Sequence, residues 1–155
     1  MTRYVIVGLI LSIAISGCIG PLSEKPERQY ASAVEARADR ALERGWIPAI
    51  LPTDAHAIRE VHDVATNLTW GCFSTGNIGE VRALMARLKA QRAQGPIGPQ
   101  PREWFRDFSW WPELMRAGTV EAWQFTEAAA PPGSSFVVRV GIDSGSKRVC
   151  FHRTL

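Results

Sequence analysis

Apolar positions recur along this chain with two different periods, and each change of period marks an element. Val5 to Ile15 form an almost unbroken apolar run, ended by Pro21, Ser23, Glu24 and Lys25. From about Glu27 to Arg44, the positions Tyr30, Val34, Ala38, Ala41 and Leu42 recur at helical steps and predict a first helix, stopped by Gly45. A second helix is predicted after Pro52-Thr53-Asp54, with Ile58, Val61 and Ala65 on its buried face and Thr66-Asn67 as its breaker. Asn77 opens a third, with Glu80 placed as in a capping box and a stripe of Ile78, Val81, Leu84, Met85 and Leu88; Gly95-Pro96 stops it.

Four strands are predicted by β-branched and aromatic content: Leu68 to Ser74, Val120 to Glu127, Ser135 to Asp143 and Arg148 to Thr154. In the third of these, Phe136, Val138, Val140 and Ile142 alternate with Arg139 and Asp143, and Asp143 to Ser146 reads as a hairpin turn. A short helical turn fits Pro112 to Arg116, with proline at its first position. The sum is an α+β fold: about three helices packed on a roughly four-stranded, mostly antiparallel sheet. Phe136, Val138, Val140, Val149 and Phe151 are the expected core. Alternation puts Cys150 and His152 on the opposite sheet face, and gives Cys72 the parity of Leu68 and Trp70.

Composition adds class and compartment. At 155 residues, 46% hydrophobic and 21% charged, the chain suits one globular domain. A formal net charge of +3, one unit of it from Arg3, is too small to argue for nucleic acid, and no such partner is expected.

Arg3, the apolar run and Ile15-Ser16-Gly17-Cys18 have the build of an export signal: charge, apolar segment, small residues. The last four residues resemble the lipobox of bacterial lipoproteins. That resemblance implies cleavage before Cys18 and acylation of its thiol, hence a membrane partner through the N-terminal lipid. A secretory signal without lipid and an uncleaved span are the alternatives, although a span needs about 20 apolar residues. The expected organisation is a signal peptide at 1–17, a tether at 18–26 and one globular domain at 27–155. Ile19, not the aspartate that marks inner-membrane retention in enteric bacteria, favours the outer membrane facing the periplasm.

With Cys18 lipidated, Cys72 and Cys150 remain as a pair, and a disulfide is the expectation in an oxidising compartment. Two free buried thiols are the alternative.

Gly45-Trp46-Ile47-Pro48, Leu51-Pro52, His62-Asp63 and Thr66-Asn67, followed by Trp70-Gly71-Cys72-Phe73, resemble a set of small uncharacterised bacterial lipoproteins over residues 28–75. That likeness implies a fold more than an activity. His62, Asp63 and Asn67 form the best polar cluster, read either as a ligand or general-base site or as a helix end that satisfies its own backbone. Trp104, Trp110 and Trp111 lie in an aromatic loop that either binds a protein, glycan or lipid or caps the core. Arg82, Arg87, Lys89 and Arg92 on the third helix are a further candidate surface for anionic lipid. The histidines lack metal-ligand spacing, and neither a metal nor a cofactor is expected. No nucleophile is poised beside a base. The reading is therefore a membrane-anchored envelope lipoprotein that binds a protein or envelope component without catalysis; an envelope hydrolase or small-ligand binder using His62, Asp63 and Asn67 is the alternative.

Overall fold

A computed structural model describes residues 26–98, 110–128 and 135–154. Its frame is a seven-stranded sheet in the order β1-β2-β3-β7-β6-β5-β4. The strands are β1 (Glu27–Ser32), β2 (His56–His62), β3 (Thr69–Ser74), β4 (Gln91–Ala93), β5 (Glu121–Ala128), β6 (Ser135–Asp143) and β7 (Arg148–Thr154). All neighbours are antiparallel. Three short helices accompany them: α1 (Ala33–Ala38), α2 (Ile78–Arg87) and α3 (Glu113–Ala117).

This architecture overturns the expected four-stranded α+β fold. The first predicted helix is β1 followed by the six residues of α1, which Ser32 caps by accepting from the Glu35 N–H. Arg40, at φ 57°, breaks the helical path four residues earlier than the predicted end at Arg44. The second predicted helix is β2. Ile58 and Val61 are both fully buried but on opposite sheet faces, so their three-residue spacing imitates a helical stripe. The third helix is present with Asn77 as its cap, accepting from the Glu80 N–H at 3.0 Å. It ends at Arg87, well before Gly95; Lys89 (φ 55°) turns the chain, and β4 follows. α3 takes the place of the short turn, with Pro112 as its cap residue.

Both sheet faces are covered. On one, Tyr30, Ile58, Phe73, Val138, Val140, Val149 and Phe151 pack against α1, α2 and the apolar residues of segment 41–55. On the other, Val61, Trp70, Cys72 and Cys150 pack under Ile97, Trp111 and Met115. Gly141 makes the second layer's close approach possible: a Cβ there would strike Met115 and press on Ile97.

Cys72 and Cys150 sit directly opposite each other on β3 and β7 and form a disulfide across 78 residues of sequence. The two cysteines share the face that strand parity assigns them. That face is apolar because it too is buried. Among the described residues, no helix is long and apolar enough to cross a membrane.

Candidate functional site

The chemically unusual part of the molecule lies where β2 ends. Alternation along β2 points Glu60 and His62 toward the layer holding α1, two residues apart and side by side. Glu60 is fully buried and His62 is 4% exposed. His62 Nδ1 lies 3.0 Å from Glu60 Oε2 and 3.2 Å from Oε1.

The lid over this pair is Trp46. Gly45, in the left-handed region at φ 72°, closes the turn after α1 and sends the indole back over the sheet. The Trp46 N–H donates to the Ala41 carbonyl at 2.9 Å, and the Arg153 guanidinium donates to the Gly45 carbonyl. The indole stacks on His62 with centroids 4.2 Å apart and planes 8° apart. Arg28 and Arg44 place their guanidiniums over the same indole, 5.2 and 4.6 Å from its centre. Beneath, the Tyr30 hydroxyl donates to Asp39 at 2.8 Å, and Arg44 reaches the other oxygen of Asp39.

Burial decides the protonation. It pushes the Glu60 carboxyl up to about 8 against the pull of Arg28, and holds His62 below its ordinary value with help from Arg28 and Arg44. A proximity of 3.0 Å would suit an ion pair, but neither charge is solvated here, so the pair is neutral near pH 7. The Glu60 O–H then donates to an unprotonated His62 Nδ1. The Tyr30 hydroxyl is raised for the same reason, burial first and its bond to Asp39 second.

The expected cluster of His62, Asp63 and Asn67 does not converge. Asp63 Oδ1 accepts from the Ala65 and Thr66 N–H groups at 3.0 and 3.3 Å and builds the β2–β3 turn. Asn67 is exposed at φ 56° and supplies that turn's left-handed position. Of the aromatic loop, Trp104 lies outside the described residues. Trp111 is core, 3% exposed, and its indole N–H donates to the Ile97 carbonyl at 2.9 Å. Trp110 is half-buried and lies against the Arg59 guanidinium at 4.8 Å. The basic face attributed to the third helix is partly neutralised, because Arg82 and Arg92 both pair with Glu121.

Sequence reasoning missed Glu60, Arg28 and the lid role of Trp46. The signal for Glu60 was available once β2 is read as a strand, since two residues apart on a strand means the same face as His62. A group of three or more His, Cys, Asp or Glu side chains able to hold a metal does not occur among the described residues.

Residues 24–74 match the family described as the YbbD head domain. The matched segment is about a third of the chain, comprises β1, α1, β2 and β3, and contains Arg28, Tyr30, Asp39, Arg44, Trp46, Glu60 and His62. No curated protein and no solved structure matches the chain.

Proposed function

We propose that the chain is a bacterial envelope lipoprotein, cut after Gly17 and held at the membrane by acyl groups on Cys18. Its domain binds a protein or envelope component and catalyses nothing. The observation that carries this reading is the cysteine arithmetic: Cys72 and Cys150 are bonded to each other, and the one cysteine outside that bond stands in Ile15-Ser16-Gly17-Cys18. The likeness of residues 24–74 to the YbbD head domain supports placement in the bacterial envelope. Ile19 after the cysteine favours the outer membrane facing the periplasm.

A hydrolytic or small-ligand site at His62 would need a route to its ring and converging partners. His62 is shut beneath Trp46, and Asp63 binds its own backbone. The geometry therefore supports binding through the surface.

Cell fractionation tests the anchor. Wild-type protein should stay with high-salt-washed membranes, and Cys18→Ser should move to the soluble fraction. Equal retention of both would overturn the reading.

A further inference from the structure

We infer that the Trp46 face, with Arg28 and Arg44, is the surface that docks onto anionic phospholipid headgroups. The inference takes its geometry from the lipid anchor proposed above. The described chain begins at Pro26, whose carbonyl accepts from the His62 N–H, so the polypeptide enters the domain beside this cluster. Residues 19–25 alone separate it from Cys18. The eight Cα-to-Cα steps span at most ~28 Å when fully extended. With acyl groups on Cys18, the face around Pro26 is held next to the bilayer.

The chemistry of that face suits headgroups. Trp46 is half-buried, with its ring packed on His62 and its remaining surface flanked by two guanidiniums. Tryptophan settles at the headgroup level of bilayers, and arginine binds phosphate with a planar fork of donors. Arg28 forms no ion pair with a carboxylate among the described residues; its guanidinium lies over the indole. The neighbouring acids are mostly engaged: Glu27 by Arg59, and Asp39 by Tyr30 and Arg44. Glu43 is the exposed acid that remains beside Arg44. The cation of this face left over for a headgroup phosphate is therefore Arg28, beside an Arg44 shared with Asp39.

The test uses the chain from residue 18 carrying Cys18→Ser, so no acyl group contributes. Co-sedimentation with phosphatidylglycerol-containing vesicles is compared with pure phosphatidylcholine vesicles at low and high salt. Binding should require phosphatidylglycerol and weaken with salt. At about fivefold per arginine, Arg28→Gln with Arg44→Gln should lower it more than tenfold. Both side chains are exposed, so the double variant should keep the wild-type melting temperature. Arg87→Gln with Lys89→Gln at the C-terminal end of α2 should leave binding unchanged. Equal binding to both vesicle types, or loss in the α2 variant in place of the Arg28/Arg44 variant, would overturn the inference. Because the anchor is absent from this assay, its result is independent of whether Cys18 is acylated in cells.

Discussion

Glu60 is the residue whose chemistry departs furthest from its ordinary behaviour. Its folded value of about 8 exceeds the unfolded 4.5, so the folded state holds a proton that the unfolded state releases. The stability tied to that proton is complete below pH 4.5 and is lost as pH rises through 8. His152 runs the other way. Burial lowers it to about 4, so its contribution is present above 6.5 and is lost as pH falls toward 4. The two windows oppose each other between 4.5 and 6.5, which leaves 6.5 to 8 as the range that reports Glu60. There the wild type should lose up to roughly 1.4 kcal/mol per pH unit. Glu60→Gln keeps a donor and cannot ionise, so its denaturant-unfolding free energy should lack that fall. Parallel pH profiles for both proteins would show that Glu60 is already charged in the fold.

The last three strands of the sheet were legible element by element, and the first two were not. β6 and β7 occupy the residues their alternation predicts, because Phe136, Val138 and Val140 face one layer while Arg139 breaks the other parity. β2 defeated the pattern because both its faces are buried, leaving apolar residues on both parities and a buried acid among them. The polar candidates were found by type and misplaced by element: His62 lies on a strand, and its true partner is Glu60 two residues back, not Asp63. Core substitutions test this description. Phe136, 4% exposed and under the Arg153 guanidinium, should cost about 3–5 kcal/mol as Phe136→Ala. Gly71→Ala should also destabilise, because its Cβ would strike the Phe151 ring and stand 2.8 Å from the Arg59 carbonyl oxygen. An unfolding free energy within about 0.5 kcal/mol of wild type would contradict the packing of β6 on β7 for Phe136→Ala, and that of β2, β3 and β7 for Gly71→Ala.

At the scale of the molecule, the disulfide joins two halves of one sheet. β1, β2 and β3 fold from the first half of the chain, and β4 to β7 from the second. The β3–β7 pairing is their seam, and Cys72–Cys150 crosses it. Closing a loop of 78 residues contributes on the order of 4–5 kcal/mol in the chain-entropy model. Reductant should therefore lower the melting temperature of the purified protein, and an unchanged melt would argue for free thiols. This bond and the proposed acylation of Cys18 can be tested together. Intact mass under non-reducing conditions, on protein recovered from membranes of its bacterial host, reads both at once. The account predicts the mass of residues 18–155 plus acyl groups and minus two hydrogens. A mass that retains residues 1–17, or one without acylation, would contradict it.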